Sequence, residues 1–148
     1  MNDMVDDGNL ALSVDISQHT VSAKDNVKSY QFFIKEYNLS ESFDLYIVCV
    51  LIGKYVVKKR KSFKKGSKYP FIKYSTAGKK EEIVILNALA IEETGDIEIL
   101  TDLKAMIKIW DEYANAGFEE FSRWYYSNSV DFESTLSNIV SDAYYGNL

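Results

Sequence analysis

Apolar positions recur at helical spacing along most of the chain, in runs joined by brief polar breaks. Tyr30, Phe33, Ile34 and Tyr37 fall at i, i+3, i+4 and i+7, which places them on one face of a helix from Val27 to about Tyr37, with Asp25 or Asn26 as its cap. Asn38-Leu39-Ser40 breaks that helix, and Ser40 caps a second segment whose stripe is Phe43, Tyr46, Ile47, Val50 and Leu51. Within it Leu45–Ile52 is apolar at every position, and periodicity cannot separate a buried strand from a buried helix there. The capping Ser40 and the amphipathic start favour a helix from about Glu41 to Tyr55, with the strand left open.

Gly66-Ser67-Lys68-Tyr69-Pro70 has turn chemistry, and Phe71–Tyr74 reads as a short strand or an extended run. Ser75 or Thr76 starts a helix from about Lys79 to Glu93, with Ile83, Leu86, Ala90 and Ile91 inward and Gly95 as its stop. Asp96 or Thr101 opens a long helix to about Asn115, burying Leu103, Met106, Ile107, Trp110, Tyr113 and Ala114. Gly117 allows a kink or a fresh start, after which Phe118, Phe121, Trp124 and Tyr125 continue the apolar face. Ser127-Asn128-Ser129 is a loop, and a last helix runs from about Asp131 to Ala143. The expected fold is mostly α: one compact domain of five or six helices over residues 27–148, with a basic loop between the second and third helices that allows short strands. Residues 1–26 are polar and acidic and read as a mobile arm, although the alternation from Leu10 to Ile16 also allows one short strand.

Charge changes this picture more than composition does. Residues 54–80 hold eleven cations and no acid, whereas residues 81–148 hold three cations and fourteen acids, in a chain of net charge −5. The cations are Lys54, Lys58, Lys59, Arg60, Lys61, Lys64, Lys65, Lys68, Lys73, Lys79 and Lys80. They alternate with Tyr55, Phe63, Tyr69, Phe71 and Tyr74, a composition suited to holding backbone phosphates and stacking bases. A helical run through Tyr55–Phe63 would line Lys54, Lys58, Lys61 and Lys65 along one side as a phosphate track. Three readings stay open: contact with DNA or RNA, docking on an acidic partner or on this chain's own acidic C-terminal half in a homo-oligomer, and a solvated loop.

Residue chemistry argues against catalysis. The single histidine, His19, lies in the expected arm and cannot be held against a nucleophile, and the single cysteine, Cys49, sits in an apolar run where a thiol is inert. Gly78-Lys79 lacks the first glycine and the Ser/Thr of a phosphate loop, leaving only a weaker possibility: Ser75–Gly78 as a helix N-terminus that could hold one phosphate with Lys79 and Lys80. Asp102-Leu103-Lys104 falls at a helix start and reads as a dipole-stabilising Asp. The adjacent acid pairs Glu81-Glu82, Glu92-Glu93, Asp111-Glu112 and Glu119-Glu120 diverge around their helices and read as solvated faces. No catalytic residue, metal site or cofactor is expected. The longest apolar run has eight residues, Leu45–Ile52, too few to span a membrane, and the chain reads as cytoplasmic. Trp110, Phe121 and Trp124 read as core, while Tyr125, Tyr126, Tyr144 and Tyr145 are candidates for an interface with another subunit.

The segments FDLYIVCVLIGKY, PFIKYST, ILNALAIEETGDIEIL and WDEYANAGFEEF, in this order over residues 43–125, resemble a small family associated with bacterial DNA phosphorothioation loci. The chain departs from the family's pattern at Ala116, where a second glycine is usual, and in its lysine-rich loop. The resemblance implies a non-enzymatic accessory subunit of an antiphage restriction system, with larger defence proteins as partners. It carries no catalytic residues.

Overall fold

A computed structural model describes residues 10–15 and 42–127, together with Ser137, Asn138 and Ser141. Among them are four α-helices and one two-stranded antiparallel sheet: β1 (Ala11–Asp15), α1 (Ser42–Ile52), β2 (Lys68–Lys73), α2 (Tyr74–Ala77), α3 (Ile83–Thr94) and α4 (Leu103–Ser127). A π-helical turn, Gly53–Val57, extends α1, and a 3₁₀ turn, Ile97–Thr101, precedes α4. The expected helix at 27–37, His19, and the side chains of Tyr125, Tyr126, Tyr144 and Tyr145 lie outside the described residues; of the expected helix at 131–143 only Ser137, Asn138 and Ser141 are described, and all three are helical.

Among the described residues the architecture is mostly helical, as expected, with four helices where the sequence predicts five or six over the whole domain. One reason is Gly117. Instead of breaking the apolar face it sits inside a continuous 25-residue α4. Its missing side chain is used for contact: a Cβ there would overlap the Cys49 carbonyl of α1, and one at Gly53 would overlap the Tyr113 carbonyl of α4. Two glycines thus let the backbones of α1 and α4 cross at close range, which no other residue permits.

Leu45–Ile52 is helical. Phe43, Leu45, Tyr46, Ile47, Cys49, Val50, Leu51 and Ile52 are all buried, so α1 is covered on every side. On α4, Leu103, Met106, Ile107, Trp110, Tyr113, Ala114, Phe118 and Phe121 are buried, which is the predicted stripe with its predicted continuation past Gly117, while Trp124, read as core, is half-buried. The indole N–H of Trp110 donates to the Leu86 carbonyl at 2.8 Å and ties α4 to α3. Gly95, at φ 68°, ends α3 in the left-handed conformation expected of a C-terminal cap. Asp96 caps the 3₁₀ turn through Glu98 N, and Asp102 accepts from Ala105 N at 3.1 Å at the start of α4.

The strand that the alternation at residues 10–16 allows is present as β1. It pairs with β2 from Ala11–Lys73 to Asp15–Lys68, and the register passes from Leu12–Ile72 to Ser13–Pro70, skipping Phe71. Pro70, which has no N–H to give a ladder, is thus accommodated beside a bulge. Phe71 meets the ring of Tyr46 at 5.3 Å, joining sheet to α1. Among the described residues no helix is long and apolar enough to cross a membrane.

Candidate nucleic-acid interface

The helix that begins at Ser42 does not run on to Phe63. It ends at Val57, where Lys58 turns left-handed at φ 62° and its N–H donates to the Gly53 carbonyl at 2.8 Å. From there the chain has no regular secondary structure as far as a turn at Lys65-Gly66, with Gly66 at φ 76°. The helical phosphate track through Tyr55–Phe63 is therefore not formed. Backbone outside helix and sheet needs other hydrogen-bond partners, and neighbouring elements supply them. Lys61 N donates to the Glu112 carbonyl at 3.0 Å, the Asn115 amide donates to the Lys61 carbonyl at 3.1 Å, and Lys64 N donates to the buried Asp15 carboxylate at 3.0 Å.

This path divides the eleven predicted cations into groups. Lys54, Arg60 and Lys61 turn inward to the chain's own acids. Lys54 Nζ lies 2.8 Å from Glu93 and 5.5 Å from the centre of the Tyr113 ring. Arg60 meets Glu112 at 2.9 Å and Glu93 at 3.5 Å, and Lys61 pairs with Glu119. Of the acid pairs read as solvated faces, Glu81 and Glu82 are both exposed, as expected, and the other three pairs are not wholly so. Glu93 and Glu112 are half-buried ion-pair partners, and Asp111 is fully buried. Lys68 Nζ sits over the Phe63 ring at 5.3 Å, and Lys80 Nζ over the Phe43 ring at 5.9 Å. Lys58, Lys59, Lys64, Lys65, Lys73 and Lys79 are exposed and make no ion pair among the described residues.

Titration behaviour follows the same division. Burial pushes Glu93 up, but hydrogen bonds from Lys54 and Tyr113, with the charges of Lys54 and Arg60, outweigh it and hold the carboxyl below its usual range. Burial, aided by the Glu93 carboxylate 2.7 Å away, pushes the Tyr113 hydroxyl up to about 12. Tyr55 is likewise raised to about 12 by burial and by its hydrogen bond to Glu92.

The alternative phosphate cradle at Ser75–Gly78 is also not built. The helix there is the single turn Tyr74–Ala77, and the amides of Gly78, Lys79 and Lys80 donate to the carbonyls of Tyr74, Thr76 and Ala77.

A second feature escaped the sequence reading. Leu10, Ala11 and Ser13 of the first strand region, Phe63, Lys68 and Pro70, and Lys104, Ile107, Lys108, Asp111 and Glu112 of α4 line a cavity of about 510 Å³ that is open on one side to solvent. Asp111 Oδ1 accepts from the Tyr46 hydroxyl at 2.7 Å and from Ser13 N at 3.1 Å, while Oδ2 is buried without a partner. Burial raises this carboxyl to about 7, against the lowering effect of those two hydrogen bonds and of Lys68. The available signal was the i, i+4, i+7 spacing of Lys104, Lys108 and Asp111, which puts them on one face of α4.

The fold and site together define a mostly helical domain that clamps a cationic loop with its own carboxylates and leaves the remaining lysines in solvent. The family profile of DNA sulphur modification system-associated protein 4 matches residues 40–145, and the chain belongs to that family. The resemblance seen over residues 43–125 is therefore correct, and membership associates the chain with a DNA sulphur modification system. Comparison with curated proteins and with solved structures returned no match.

Proposed function

We propose that this protein is a non-enzymatic accessory subunit of a DNA phosphorothioation-linked defence system, and that it meets the nucleic-acid backbone through its outward lysines. Family membership supports the system. The observation that carries the nucleic-acid reading is the division of the cations: Lys54, Arg60 and Lys61 fix the loop, and Lys58, Lys59, Lys64 and Lys65 stand exposed along one short loop segment. A loop fastened to α4 and β1 presents its charges with less ordering cost than a free one. Other proteins of the same system are its expected partners, with the aromatic C-terminal region as the surface they would meet.

Binding of the intact protein to labelled duplex and single-stranded DNA, titrated from about 50 to about 200 mM salt, tests the reading. Four phosphate contacts give a log–log salt slope of about −3 to −4. Reversal of Lys58, Lys59, Lys64 and Lys65 to Glu removes the binding. Absence of binding at the lowest salt refutes nucleic-acid contact by this chain, and co-purification of an acidic protein through the same four lysines would replace it.

A further inference from the structure

The cavity between the sheet, the Phe63 segment and α4 has the make-up of a ligand site rather than of a packing defect. Its volume of about 510 Å³ lies within the range of small-molecule pockets. Packing defects are small and lined by apolar atoms. This cavity carries three lysines, Lys68, Lys104 and Lys108. Lys104 and Lys108 are exposed and make no ion pair among the described residues, while the cavity's Glu112 is already engaged by Arg60 at 2.9 Å. The lining therefore favours an anion.

The rest of the wall is of a different kind. Leu10, Ala11, Phe63, Pro70 and Ile107 give it an apolar surface, with one aromatic ring among them. The ring of Phe63 is held under Lys68 Nζ, 5.3 Å away, so aromatic face and cation come as one unit. Asp111 closes the floor of the cavity: it is fully buried, its Oδ1 accepts from Tyr46 and Ser13, and its Oδ2 has no exposed surface for a ligand to meet.

We propose that this cavity binds a nucleoside monophosphate group, with its phosphate on Lys104 and Lys108 and its base against Phe63 and Ile107. Nucleotides combine these two chemistries: a dianionic end and a flat ring with apolar faces. The nucleotide is either free or one unit of a strand. The site uses none of the four loop lysines assigned above to the backbone, so it stands or falls independently of them.

Calorimetric titration of the intact protein with AMP, CMP, GMP and TMP, with the corresponding nucleosides, with inorganic phosphate and with a short single strand tests the proposal. At least one monophosphate binds with Kd of about 1 mM or tighter, and more tightly than inorganic phosphate or its own nucleoside. Lys104→Glu with Lys108→Glu, both at exposed positions, weakens this binding about tenfold or more, with the thermal midpoint as the control for folding. Competition by the single strand identifies the ligand as a unit of a strand; absence of competition identifies it as free nucleotide. The proposal is overturned if no monophosphate binds, if phosphate alone binds as well as every nucleotide, or if the double lysine variant binds undiminished. A strand that binds solely through Lys58, Lys59, Lys64 and Lys65 while mononucleotides do not would overturn it too, and would leave the loop reading standing.

Discussion

Replacing Asp111 by Asn isolates the cost of one buried carboxyl. Asn keeps the shape of the side chain and an acceptor for the Tyr46 hydroxyl and for Ser13 N, now 2.7 and 3.1 Å away. What it removes is a group whose folded state holds a proton far more tightly than the unfolded chain does, with a pKa raised from 3.8 to about 7. Stability from such a group is fully present below about pH 4, falls as pH rises, and levels off above about pH 7. Each tenfold change in proton affinity is worth about 1.4 kcal/mol, and the interval covers roughly three of them, so wild type loses on the order of 4 kcal/mol that the variant keeps. The neighbours that tune the effect are Lys68, which opposes it, and Glu112, which adds to it. Urea unfolding followed by the fluorescence of Trp110 and Trp124, repeated between about pH 4 and about pH 8, measures both proteins. The difference in unfolding free energy should start near zero and grow in favour of Asn across that range. Parallel pH profiles would refute a raised Asp111 and the burial argument behind it.

Two further substitutions test the scaffold. Gly117→Ala places a methyl group against the Cys49 carbonyl at the α1–α4 crossing, where both partners are backbone. Neither can rotate away, so a loss of about 2–3 kcal/mol is expected in the same urea assay; a loss under about 0.5 kcal/mol would show that the helices do not cross so closely. Lys54→Met keeps the stem against Tyr113 but leaves Glu93 without its 2.8 Å partner. In this half-buried setting the cost is about 1–2 kcal/mol at neutral pH. Because Glu93 is held below its usual 4.5, the network's contribution is present above that pH and lost as pH falls through the lowered value, so the penalty of Lys54→Met shrinks in acid. A penalty independent of pH would indicate lost packing alone.

Helices were legible wherever the apolar spacing was amphipathic. The stripe from Leu103 to Ala114, the Gly95 stop and the Asp102 start all follow from local rules, because side-chain period and terminal hydrogen bonds are properties of the segment itself. The family was legible too, through an ordered set of short blocks. Gly117 was not, because a glycine that breaks a helix and a glycine that admits a neighbouring backbone look alike until the neighbour is known. The acids posed the same difficulty. Asp111 and Glu112 are adjacent in the chain, yet one is sealed beneath β1 and Tyr46 while the other meets Arg60.

The order of residues by itself determined that this chain would gather its positive charge in one segment and its negative charge in another. Which lysines would be spent on that attraction and which would face solvent depended on α4 lying beside the loop, since Coulomb pairing acts over a few ångströms and sequence does not report such distances. Lys54, Arg60 and Lys61 were claimed by Glu93, Glu112 and Glu119, and Lys104 and Lys108 acquired a cavity beneath them. Local spacing decided the helices; only their packing decided what the charges are free to bind.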